Sequence, residues 1–189
     1  MILLLLFTGC GGKKQIRDAQ SLQQQFCAMD SCCMEGEVTC QYEQQERRYT
    51  LRCEWRPERS VVTVLAPEEL AGITAVIQGE DLTLQYQGTS LGVGRLSALE
   101  LSPAQCMPML LQALRCGYIT SIGEETLDGK ACQYLTLDQT EGGGEKVNFA
   151  VWLYEKQPAA AEIRVGQQTL FQIRIAEYTQ ESAEGNPAL

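Results

Sequence analysis

From Glu35 onward, apolar and polar residues alternate with a period of two. Val38, Cys40 and Tyr42 fall on one side, and Glu37, Thr39 and Gln41 on the other. A polar turn at Gln44–Arg47 follows, and the alternation resumes with Tyr49, Leu51, Cys53 and Trp55 against Thr50, Arg52 and Glu54. Such a pattern predicts an antiparallel hairpin with one wet face and one apolar face. Residues that face each other across the pair point to the same side. With the turn at 44–47, Cys40 and Cys53 lie opposite or diagonal on the apolar face, which makes them the disulfide candidate.

Further strands are predicted at Ser60–Leu65, Ile73–Ile77, Leu82–Tyr86 and Leu91–Val93. Between the first two of these, Pro67-Glu68-Glu69-Leu70-Ala71-Gly72 reads as one helical turn opened by proline and closed by glycine. Later strands are expected at Tyr118–Thr126, Ala131–Leu137, Val147–Tyr154, Ala161–Val165 and Thr169–Tyr178. A Gly-rich loop at 141–145 separates the second and third of them.

Two stretches follow the helical period instead. Ile16, Ala19, Leu22 and Phe26 are spaced three, three and four apart, which predicts a helix from Lys13 to about Met29. Ser102, Pro103 and Gln105 form a capping-box signature. The helix they open carries an apolar stripe of Leu110, Leu111 and Leu114 and is expected to stop at Gly117. Pro108 is expected to distort its first turns. Helix, strands, helix, strands favours an α+β fold: one curved antiparallel sheet of about 10–11 strands with helices on one side.

The chain has 189 residues and a net charge of −9. An acidic chain of this kind argues against nucleic-acid binding, where basic patches dominate. It contains no histidine, which removes the commonest general base and every His-containing metal site. Glu68 with Glu69, or Glu124 with Glu125, could be drawn as acid/base pairs, but adjacent acids in turns are ordinarily solvated charge. Gly142-Gly143-Gly144 lacks the Lys-Ser/Thr that completes a phosphate loop. No enzyme, cofactor or metal site is therefore expected. Of the nine cysteines, Cys27-x4-Cys32-Cys33-x6-Cys40 lacks the paired knuckles of zinc sites, which leaves disulfides or buried thiols.

The N-terminus changes this picture most. Met1-Ile2-Leu3-Leu4-Leu5-Leu6-Phe7-Thr8-Gly9-Cys10 is an apolar run ending in small residues and a cysteine. It resembles a bacterial lipobox, in which that thiol receives a diacylglyceryl group before the preceding peptide is cut away. The resemblance implies lipidation of Cys10, with an attached palmitate-type acyl chain, and location on the extracytoplasmic face of a cell membrane. No Lys or Arg precedes the run, so the signal peptide is expected to begin upstream of Met1. Residues 1–9 then form a signal-peptide remnant, 10–180 a single domain, and 181–189 a disordered tail.

The order of elements, Pro67-Glu68-Glu69-Leu70-Ala71-Gly72-Ile73, Val151-Trp152-Leu153 and the Pro158–Ile163 segment resemble the LolA-like superfamily. It includes the lipoprotein carrier LolA, its receptor LolB, mycobacterial lipid-binding lipoproteins such as LppX and LprG, and the germination lipoprotein GerS. The resemblance implies an open half-barrel whose concave face holds acyl chains beneath helices. Tyr42, Leu51, Trp55, Leu84, Tyr86, Leu110 and Leu114 are the cavity candidates. A fixed anchor at Cys10 favours a holder of lipid or lipoprotein over a soluble shuttle. The alternative reading is a non-catalytic protein partner or homodimer, assisting an envelope or spore-cortex enzyme as the GerS likeness implies.

Overall fold

A computed structural model describes residues 20–42, 45–79, 81–95, 102–140 and 146–182. The predicted lipidation site and the signal-peptide remnant lie outside these residues, as does the predicted 181–189 tail beyond Ser182; Glu181 and Ser182 continue a strand instead, with Glu181 paired to Ser31. An N-terminal helix, α1, is described over 20–27. Its Leu22 and Phe26 are buried, as their helical spacing predicts. Then come β1 (Met29–Tyr42), β2 (Gln45–Arg56), β3 (Arg59–Ala66), a 3-10 turn (Glu68–Leu70), β4 (Thr74–Gln78), β5 (Asp81–Tyr86) and β6 (Thr89–Arg95). Helix α2 (Pro103–Cys116) separates these from β7 (Tyr118–Leu127), β8 (Lys130–Thr140), β9 (Lys146–Tyr154), β10 (Gln157–Val165) and β11 (Gln168–Ser182).

The eleven strands make one antiparallel sheet, ordered β6-β5-β4-β3-β2-β1-β11-β10-β9-β8-β7. Each half is a meander of neighbouring strands, and the pairing of β1 with β11 joins the two halves. The sheet is open, because β6 and β7 each have one neighbour. Tight turns suit the meander: the Gln87-Gly88 and Asp128-Gly129 corners both have positive φ at both positions, the geometry that matches the twist of a two-residue hairpin.

Strand β1 starts six residues earlier than its clearest alternation, at Met29. Cys32 and Met34 continue the buried side of that strand, so cysteine here extends an apolar face. Helix α2 runs unbroken through Pro108. Gln105 Oε1 accepts the Ser102 N–H at 2.9 Å, and Gly117 closes the helix through its N–H to the Ala113 carbonyl. The helix packs against β1, β2 and β3 in one half and against β8, β10 and β11 in the other. Its Met107, Leu110, Leu111 and Leu114 enter one apolar cluster with Leu22 and Phe26 of α1 and with Met34, Leu51, Leu135, Phe149 and Ile163 of the sheet.

Candidate functional site

The face of the sheet turned toward the helices is the apolar one along nearly every strand. Under α2 its side chains are buried in one apolar cluster. Among the cavity candidates, Leu51, Trp55, Leu110 and Leu114 are all buried and belong to the apolar cluster. Leu84 is half-buried at the margin of that cluster, and Tyr86 is 44% exposed. The Tyr42 side chain lies outside the described part of the structure. The six described residues therefore divide into a packed group beneath the helix and an open group toward β5.

The open group continues onto β6. Register pairs Leu84 with Leu91 and Tyr86 with Thr89, and Ala75 with Leu84, so these side chains share the inner face. Leu91 is 63% exposed. Sequence reasoning placed a strand here but missed Leu91 as a site residue. Its signal was available: it extends the alternation of Leu82, Leu84 and Tyr86 across the Gln87-Gly88 turn. An apolar inner face that runs past its covering helix gives acyl chains or another apolar surface a place to settle.

The helix ends are pinned at the opposite side of this face. Arg115, in the last turn of α2, lays its guanidinium over the Trp55 ring, 4.6 Å from its centre. Its Nη2 donates to the Cys27 carbonyl of α1 at 3.3 Å. The Cys27 thiol donates back to the Arg115 carbonyl at 2.9 Å, and Gln23 Nε2 donates to the Gly117 carbonyl at 2.8 Å. A cation over an aromatic ring adds roughly 1 kcal/mol, and here it also ties β2 to both helices.

The disulfide expected between Cys40 and Cys53 does not fit the register. Tyr42 pairs with Gln45, so the turn is shorter than the 44–47 corner read from the sequence. Cys53 faces Met34, and Cys40 faces Arg47. The two sulfurs share a face but stand six positions apart along β1, roughly 20 Å at strand rise, far beyond disulfide reach. Both are free thiols. Burial pushes the Cys32 thiol up to about 12, and burial raises the Cys53 and Cys106 thiols as well. These sulfurs behave as small apolar groups.

Neither acid pair forms a buried acid/base site. Glu68 and Glu69 are exposed in the 3-10 turn. Glu124 and Glu125 point to opposite faces of β7, because adjacent strand residues alternate, and Glu125 accepts the Trp152 Nε1–H at 2.8 Å. Among the described residues, no group of three His, Cys, Asp or Glu side chains is placed to hold a metal ion, and no helix is long and apolar enough to cross a membrane. Two grooves lie on the outer face: one of about 520 Å³ is mixed, with Asp128, Lys130 and Arg174 beside Leu127, Pro158 and Ile175, and another of about 840 Å³ lies among Arg52, Glu54, Arg56 and Arg59.

No known family pattern and no curated protein matches the sequence. Solved structures do match the chain in shape. A DUF1329 family protein from Desulfovibrio piger aligns over 92% of this chain and 95% of its own, at 10% identity and a TM-score of 0.50. An uncharacterized conserved protein from Thermus thermophilus aligns over 88% of both chains, at 11% identity and a TM-score of 0.50. The fold is shared with these two. The structural neighbours also include a LolA superfamily protein from Nitrosomonas europaea, aligned over 87% of this chain and 94% of its own at 15% identity and a TM-score of 0.46.

Proposed function

We propose that this protein is a lipoprotein anchored through Cys10 that holds acyl chains against the inner face of its sheet. The observation that carries the reading is the open apolar margin at Leu84, Tyr86 and Leu91, which continues the buried face beyond the helix covering it. An alkyl chain laid there removes its own surface and that of Leu91 from water, at about 25 cal/mol per Å². The lipobox-like end of the sequence supports a membrane location, and the lack of histidine and the solvated acid pairs support a binding rather than a catalytic role.

Two measurements test it. Purified protein titrated with cis-parinaric acid should bind it saturably, and Leu91→Asp should weaken that binding about tenfold, the equivalent of losing one buried side chain, with an unchanged melting temperature. Equal binding by the variant would remove the margin as the site. In cells, Cys10→Ser should shift the chain from the membrane to the soluble fraction; retention in the membrane would remove the anchor.

A further inference from the structure

Two of the eight described cysteines are exposed, Cys27 and Cys116. They sit at the last residue of α1 and the last residue of α2, where the two helices meet. The Cys27 thiol already touches the carbonyl of Arg115, the residue bonded to Cys116, at 2.9 Å. A carbonyl oxygen and the next Cα lie roughly 3 Å apart across a trans peptide, so the Cys27 sulfur is within about 6 Å of the Cys116 Cα. The Cys116 sulfur now rests against its own helix, on the Gln112 carbonyl at 3.2 Å and the Gln112 amide at 3.0 Å. Rotation of that side chain away from Gln112, with small adjustments in the last turn of each helix, brings the sulfurs within bonding distance.

We propose that Cys27 and Cys116 form a disulfide that staples α1 to α2. The other thiols are poor competitors. Cys32, Cys40, Cys53, Cys106 and Cys132 are buried, closed to an oxidant. Cys33 lies on the outer face opposite Glu54 and Thr179, with no sulfur across from it. Cys32 and Cys53 are diagonal neighbours in the register, a separation of roughly 7–8 Å that exceeds the usual disulfide span.

The chemistry is exchange with a low-molecular-weight disulfide. The Cys27 thiolate attacks one sulfur of that disulfide and releases one thiol. The Cys116 thiolate then attacks the Cys27 sulfur of the mixed disulfide and releases the second. The two protein thiols lose two electrons and two protons, and the external disulfide gains them. The consequence is mechanical: α1 and α2 cover one end of the apolar inner face, and the bond fixes them to each other. The site rests on this geometry alone. Its oxidation in the cell follows from the extracytoplasmic location proposed above, because such compartments favour disulfides.

The test uses the full chain in a buffer of oxidised and reduced glutathione. Digestion without reduction, followed by mass spectrometry, should find the peptide carrying Cys27 joined to that carrying Cys116. The oxidised protein should melt about 5–10 °C above the reduced one. Cys116→Ser, at an exposed position, should fold as the reduced parent does and lose both the link and the shift. Separate glutathione adducts on Cys27 and Cys116, or a link from either sulfur to another cysteine, would overturn the proposal. Because this assay needs neither lipid nor membrane, its failure leaves the acyl-chain reading standing, and the reverse also holds.

Discussion

Replacing Gly36 by alanine is expected to lower the unfolding free energy by about 3 kcal/mol, at the upper end of overpacking effects. Gly36 is on β1 where the register with β11 shifts, between the pairs Glu35–Glu177 and Gly36–Ile175. A Cβ built there would collide with the Arg174 carbonyl and stand 3.0 Å from the Ile175 Cα. Both are backbone atoms, so no side chain can swing aside to relieve the contact; β1 and β11 must separate locally. That pairing is the one that joins the two halves of the sheet, and loosening it weakens every strand on either side. Gly92→Ala is the matched control, because its Cβ would meet nothing within 4 Å. Urea titration should move the midpoint strongly for the first variant and hardly at all for the second. Equal midpoints would show that the seam tolerates a side chain and that its tightness is not what holds the halves together.

The second large effect is expected at Leu110→Ala. This side chain is fully buried, in the middle of the stripe that α2 presents to the sheet. Removing it loses the transfer energy of the missing carbons and leaves a hole that rigid neighbours fill only in part, together about 3 kcal/mol. Leu91 gives the contrast. At 63% exposure, its truncation should change stability by less than about 0.5 kcal/mol while reducing acyl-chain binding. One leucine thus reports on the filled part of the inner face and the other on the open part. If Leu110→Ala proved neutral, the space beneath α2 would be a cavity rather than a packed core.

Much of this arrangement was legible in the residues. Eleven strands were legible from period-two alternation where one side is buried, as in 37–42, 49–55 and 82–86, and from the turns that bound the rest; hydrophobic spacing records burial directly, and the exposed β6 had little of it to show. The Ser102–Gly117 helix was legible for a different reason: its capping groups and its stripe are both local. Legibility failed where a distant part of the chain decides the outcome. Cys40 and Cys53 were correctly placed on the buried face, yet their pairing depended on where the hairpin turns, and a change of a few residues in the corner moves every partner. The entry to β1 was hidden because Cys32 reads equally as a crosslink or as a small apolar residue. The division of the cavity candidates was also invisible. Leu84 and Leu110 look alike in a sequence; only the position of α2 over β1–β3 makes one a margin and the other a core. The meeting of Cys27 with Arg115 joins residues 88 positions apart, and nothing local signals it.

The seam between β1 and β11 also sets the order in which this protein can be finished. Cys32 takes Gln180 as its partner, so β1 waits for β11, which follows the ten other strands in the sequence. Until β11 docks, β1 has a partner in β2 on one side and an unsatisfied edge on the other, a template for wrong pairing between neighbouring chains. Contacts this remote are costly to close and slow to form. The protein's need for protection from aggregation should therefore fall on the interval before β11 docks, and end when that strand slots into the middle of the sheet.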